Sequence, residues 1–146
     1  MIIQDIYLKD YDWSIRVYYE IDTVYLYSIM NDLEALHCED PEECLDRFLK
    51  AGLNSGLTYT SPKQNSSLVL IGKTSSPAEF QSTFDHEKGH LATHIAEVLD
   101  IDLYSEDYQY LVGEIGKQMF PAAQLFMCEC GRHSIKSLLN KRGYNE

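Results

Sequence analysis

Apolar and polar residues alternate at the start of the chain in a pattern typical of β-strands. The segments "IIQDIYL" (2–8) and "WSIRVYYEI" (13–21) are rich in β-branched and aromatic residues, and "KDYD" separates them. This arrangement predicts a β-hairpin. A later apolar run, "SLVLIGK" (67–73), is bounded by turn residues and predicts a strand buried on at least one face. The polar segment before it, 54–67, is predicted to be a loop with room for one short strand.

Four segments have helical patterns. The segment 22–37 and a segment that starts at Pro41 and stops at Gly52 predict the first two helices. Ser76, Pro77 and Glu79 form a capping box with proline at the first helical position, which predicts a helix from Pro77 to about Leu99. Ser105 is the predicted cap of the next helix.

The end of the chain is predicted to be helical as well. The helix that follows Ser105 should be interrupted or kinked at Pro121, because proline removes a backbone donor. Helix is expected to continue to Gly131, and a short basic helix ends the chain. Strands and helices together indicate a single α+β domain over residues 1–146.

Charge and hydropathy narrow the class of protein. The chain has 146 residues and a net charge of -11, which argues against a nucleic-acid surface because phosphate binding depends on clustered Lys and Arg. No apolar run approaches the roughly 20 residues that a membrane helix requires. The N-terminus does not resemble a signal peptide, so we expect a cytoplasmic protein that does not interact with membranes.

The four cysteines are expected to be reduced thiols in that compartment. They are Cys38, Cys44, Cys128 and Cys130. Cys128, Cys130 and His133, with Cys38 or Cys44, could form a separate structural zinc site. Buried or idle thiols are the preferred interpretation, because no Cys-x-x-Cys pair is present.

The most specific pattern is "HEKGH" at 86–90, which fits His-Glu-x-x-His. On a helix, His86, His90 and His94 form a row about 100° from the apolar stripe. Residues at i and i+4 project from one face, so His86 and His90 can reach one zinc ion. Glu87 lies on an adjacent part of that side and can act as a base. The alternative is a solvated helix face on which these residues coincide by chance.

Helix-hairpin geometry indicates a third ligand. Position 88 lies midway between the two histidines, and the connection "DID" is centred on 101. The same offset beyond the connection gives 114, which is Glu114. The rivals are Glu106 and Asp107, which lie in the first helical turn, where the cap and the helix dipole already explain acidic residues.

The motif and the segment "YLVGEIGKQMF" resemble gluzincin-type metallopeptidases, especially the zincin-like domain of phage and plasmid antirestriction proteins. The resemblance covers roughly residues 67–120. It implies a minimal zincin-like α+β domain with an N-terminal β-hairpin and small sheet, a motif helix and an antiparallel ligand-bearing helix. It also implies Zn²⁺ held by His86, His90 and Glu114, with Glu87 as general base and later proton donor.

Two positions differ from the pattern of that family, and one strand is expected to align the substrate. Gln118 stands where thermolysin-like members have an aspartate that orients a histidine. Lys88 occupies a variable position of the motif and should point to solvent. The strand "SLVLIGK" is expected to be the sheet edge along which an extended peptide lies.

These observations favour a zinc-dependent metallopeptidase that hydrolyses a peptide or protein substrate. The alternative is a zincin-like, metal-stapled protein-binding module, as in a phage or mobile-element accessory protein, without peptidase activity. A degenerate fold that binds no metal is a third hypothesis.

Overall fold

The computed structural model describes residues 2–52 and 55–128. In these ranges the chain forms four β-strands and four α-helices. In chain order they are β1 (Ile2–Leu8), β2 (Trp13–Ile21), α1 (Leu26–Ala35), α2 (Pro41–Lys50), β3 (Gly56–Ser61), β4 (Ser66–Gly72), α3 (Pro77–Val98) and α4 (Glu106–Ala123). The predicted mixture of helices and strands is therefore confirmed.

The four strands form one mixed sheet in the order β1-β2-β4-β3. The predicted hairpin of β1 and β2 is present, and Asp12 closes it in the left-handed conformation. β2 and β4 pair in parallel, and β3 and β4 pair antiparallel. Because parallel neighbours need a long crossover, the chain passes through α1, α2 and β3 before β4 joins β2.

Helices cover both faces of the sheet. On one face α3 and α4 pack on residues such as Val17 and Ile71, and on the other face α1 and α2 pack on residues such as Tyr18 and Leu70. β4 is buried on both sides, which explains its uninterrupted apolar sequence.

This placement corrects one expectation. The segment "SLVLIGK" was expected to form the edge of the sheet, but β4 is an interior strand with partners on both sides. The exposed edge next to α3 is β3, the short strand in the polar segment.

The helices differ from prediction mainly at their ends. α1 is preceded by a 3-10 turn at Thr23–Tyr25, so it begins later than the pattern indicated. α4 is not interrupted at Pro121 and ends two residues later, at Ala123. The proline removes the one hydrogen bond that residue 121 would donate to the Lys117 carbonyl, and the helix runs on for only two residues beyond it. The predicted continuation of the helix is replaced by a 3-10 turn at Gln124–Phe126, and no helix follows at 127 and 128. The rest of that prediction, to Gly131, and the basic C-terminal helix lie outside the described residues.

No helix in the described part of the chain is long and apolar enough to cross a bilayer.

Candidate functional site

The position of the motif depends on how α3 begins. The Ser76 hydroxyl accepts a hydrogen bond from the Glu79 amide at 3.2 Å, and Pro77 occupies the first helical position. This cap fixes the start of the helix, and Phe80, Phe84, Leu91 and Ile95 then face the sheet. His86 and His90 consequently lie on the exposed side of α3.

The two motif histidines converge. Their Nε2 atoms are 3.1 Å apart, and their rings are nearly perpendicular, with centroids 4.7 Å apart. Two tetrahedral ligands that each lie about 2.05 Å from a zinc ion would be separated by about 3.3 Å. The Nε2 separation of His86 and His90 is therefore compatible with two ligands of one ion. It is equally a hydrogen-bonding distance between one protonated and one unprotonated nitrogen.

Glu87 points from the same helix towards the edge strand. It is only 4% exposed, and it is the one charged side chain that is buried among the described residues. The Thr58 hydroxyl donates to Glu87 Oε1 at 2.9 Å. A Cβ atom on Gly56 would lie 2.5 Å from Glu87 Cγ and 2.8 Å from Oε2. Gly56 and Thr58 therefore form a close-fitting support for this carboxylate.

His94 extends the row of histidines and is half-buried. Its Nδ1 lies 2.9 Å from the Thr60 hydroxyl, which lies 2.8 Å from the Ser67 hydroxyl. The Trp13 indole donates to Ser67 at 3.0 Å, so this chain of hydrogen bonds reaches the core. Burial lowers the pKa of His94, His90 acts in the same direction, and the charges of Glu97 and Glu87 oppose the shift.

The strand β3 offers an open edge beside these side chains. The Gly72 amide donates to the Ser55 carbonyl at 2.8 Å, which sets the alternation of hydrogen bonds between β3 and β4. By that alternation, the backbone groups of Gly56, Thr58 and Thr60 point away from β4. A cavity of about 330 Å³ lies between this edge and α3, and its walls include Thr60, His94 and Glu97.

Glu114 lies elsewhere. It accepts a hydrogen bond from Gln118 at 3.0 Å. Burial, with the charges of Asp10, Asp107 and Glu114, raises the pKa of Tyr11 in the β1–β2 connection. Glu114 and Asp107 therefore share a side of α4 that faces this connection.

The contacts between α3 and α4 explain the separation. Lys88 Nζ lies 3.8 Å from the position that a Cβ on Gly116 would occupy, and it lies over the Phe84 ring. Two residues turn a helix by about 200°, so at the level where Lys88 reaches Gly116, His86 and His90 lie on a different side of α3 from the one that meets α4. The expectation that Lys88 points to solvent is wrong, since its side chain is only 24% exposed.

The structure thus brings His86 and His90 together on the exposed side of α3 and places Glu87 and His94 against β3, but it does not bring Glu114 to the histidine pair. Within the described residues, no three His, Cys, Asp or Glu side chains form a group that could hold a metal ion. Gly56, Thr58 and Thr60 were not predicted from the sequence to belong to the site. Their spacing of two residues, which places them on one side of a strand, was the available signal.

Comparison of the chain with protein-family models, with curated proteins and with solved structures finds no match. The functional argument therefore rests on the chemistry of these residues.

Proposed function

We propose that the protein is a zinc-dependent metallopeptidase in which His86 and His90 hold the ion and Glu87 is the general base. The observation that carries the proposal is the convergence of the two Nε2 atoms at 3.1 Å, beside a buried glutamate on the adjacent side of the same helix. A zinc ion bound there would supply a Lewis acid and lower the pKa of bound water.

The roles of the chain's own residues follow from their contacts. The Thr58 hydroxyl holds Glu87 Oε1, which orients the carboxylate for taking a proton from water and returning it to the leaving amine. The outward backbone groups of Gly56, Thr58 and Thr60 can pair with an extended peptide or protein substrate by β-augmentation. In this proposal β3, rather than β4, aligns the substrate.

Glu114 remains the proposed third ligand, and in this structure its carboxylate accepts a hydrogen bond from Gln118. The zinc content measured by mass spectrometry tests the histidine pair and Glu114 separately. We expect about one equivalent of zinc in the purified wild type and a large loss in His86→Ala and His90→Ala. A full equivalent in Glu114→Ala would remove Glu114 from the ligand set while leaving the histidine pair intact.

Catalysis is tested separately through Glu87. The Glu87→Gln variant keeps the size of the side chain and should retain zinc but lose cleavage of a peptide library. Asp85→Asn, on an exposed neighbour in the same helix, is the matched control and should retain cleavage. Folded wild-type protein that contains no zinc when it is prepared without chelator would overturn the proposal.

A metal-stapled binding module is the second candidate. The observation that favours it is the separation of Glu114 from the histidine pair, together with a Glu87 carboxylate already engaged by Thr58. Such a module needs the ligands but not the base. Zinc binding with no cleavage in either the wild type or Glu87→Gln would support it.

A further inference from the structure

Two cysteines lie together on the sheet face opposite the candidate site. Cys38 is in the α1–α2 connection, and Cys44 lies at the end of the first turn of α2. Cys44 is 6% exposed, whereas Cys38 is half-buried and packs against the same core. Cys38, Cys44 and Tyr59 line the same cavity, and after burial the proximity of Cys38 raises the pKa of both Cys44 and Tyr59.

Two backbone features shape the connection that carries this pair. His37 adopts the left-handed conformation, and the Cys38 amide donates to the Leu33 carbonyl at 3.0 Å. The chain then turns into α2, where the Asp40 side chain accepts from the Glu43 amide at 3.0 Å. These two features turn a short connection so that both cysteines line the same cavity, although neither belongs to a Cys-x-x-Cys motif.

The two thiols differ in exposure, since Cys38 is half-buried and Cys44 is buried. They line a cavity of about 600 Å³ together with residues such as Arg47, Tyr59 and Lys63. Burial, followed by the effect of Cys38, raises the pKa of Cys44. A reagent in the cavity meets the more exposed Cys38 first, and the thiolate of Cys38 is the nucleophile. Cys44 reacts afterwards.

We propose that Cys38 and Cys44 form a dithiol site that a low-molecular-weight disulfide, such as oxidised glutathione, converts into an intrachain disulfide. The Cys38 thiol loses its proton to solvent, and its sulfur attacks the small disulfide, whose S–S bond breaks and releases one thiol. Cys44 then loses its proton and attacks the Cys38 sulfur, which breaks the mixed disulfide and releases the second thiol. The two protein thiols are oxidised by two electrons, and the small disulfide is reduced by two.

The dithiol site lies across the sheet from the cavity between β3 and α3. Tyr59, which lines the same cavity as Cys38, is flanked in β3 by Thr58 and Thr60, whose side chains contact Glu87 and His94 on the other face. The disulfide therefore forms against the strand that supports those two residues. The proposal does not depend on zinc binding or on peptidase activity.

The test uses the full chain with Cys128→Ser and Cys130→Ser, so that only the two cysteines of interest remain. After incubation with oxidised glutathione, intact mass spectrometry should show the loss of two hydrogens, and peptide mapping should join Cys38 to Cys44. The added Cys44→Ser substitution should stop the reaction at one glutathionyl group on Cys38. The added Cys38→Ser substitution should leave Cys44 unmodified under the same conditions.

A second measurement avoids any dependence on how the variants fold. In the native wild type, iodoacetamide should alkylate Cys38 at least about tenfold faster than Cys44. Alkylation of Cys38 should then prevent disulfide formation. The proposal is overturned by a persistent mixed disulfide on Cys38 while Cys44 is intact, by equal alkylation of the two thiols, or by no loss of hydrogens.

Discussion

At the scale of single residues, the Glu87 side chain fills the space in which a side chain at Gly56 of β3 would lie. A Cβ atom on Gly56 would fall 2.5 Å from Glu87 Cγ, a distance that Cβ contacts do not tolerate. Gly56→Ala should therefore push the Glu87 side chain away from β3 and reduce the free energy of unfolding by about 1 to 3 kcal/mol. Urea denaturation monitored by circular dichroism measures this change.

Gly89→Ala is the matched control, because Gly89 lies inside the motif but a Cβ there meets nothing within 4 Å. This substitution should raise the stability of α3 by up to about 1 kcal/mol, since alanine favours helix. If both variants were equally stable, the close contact between Gly56 and Glu87 would not exist in solution.

A second residue-scale prediction concerns His94, whose pKa is lowered mainly by burial. In the unfolded chain histidine titrates near pH 6.5, so the unfolded state takes up the proton first as the pH falls. The contribution of His94 to stability is therefore present above about pH 6.5 and is lost as the pH falls through its lower folded pKa.

Replacement of His94 by glutamine removes this titration and keeps a carbonyl that can accept from Thr60. Between about pH 7.5 and pH 5.5, the wild type should lose more unfolding free energy than His94→Gln, as measured by urea titration at each pH. The remaining histidines are common to both proteins. If the unfolding free energies of the two proteins changed in parallel with pH, the lowered pKa of His94 would be contradicted.

At the scale of elements, the sequence predicted the antiparallel pairing of α3 and α4 and the level at which they meet. The hairpin offset matched position 88 with 114, and the structure places Lys88 beside Gly116 and Thr93 beside Tyr108. The sequence did not predict how each helix is rotated about its own axis. The offset gives a position along the helix axes, whereas the direction in which a side chain faces depends on contacts with the sheet and with β1, so the offset alone did not determine which way Glu114 faces.

The strands show the same division between local and tertiary information. The hairpin followed from alternation and turn residues, which are local signals. The order of β3 and β4 is tertiary, but the sequence did contain a signal for it. An uninterrupted apolar run such as that of β4 is typical of a strand buried on both faces, so it argued against an edge position. The polar β3, with glycine and threonines on one side, is the better candidate for an edge.

At the scale of the whole molecule, zinc should act as a stabilising ligand of the folded state. His86 and His90 are one turn apart in α3, and the unfolded chain does not hold them at 3.1 Å. A ligand that binds only the folded state stabilises it by about 2.7 kcal/mol at a hundredfold excess over Kd. For a chain of this size, that energy corresponds to an increase in Tm of about 5 to 10 °C.

Differential scanning fluorimetry with and without zinc tests this expectation and separates a metal-binding protein from a fold that binds no metal. The wild type should gain Tm with zinc, and His86→Ala and His90→Ala should not. His37→Ala serves as the control, because this histidine lies in the α1–α2 connection on the opposite side of the sheet. Equal Tm values for the wild type with zinc and with a chelator would instead support a fold without metal. Loss of the shift in Glu114→Ala would mean that α4 turns its acidic side towards α3 when zinc binds, since that side now faces the β1–β2 connection.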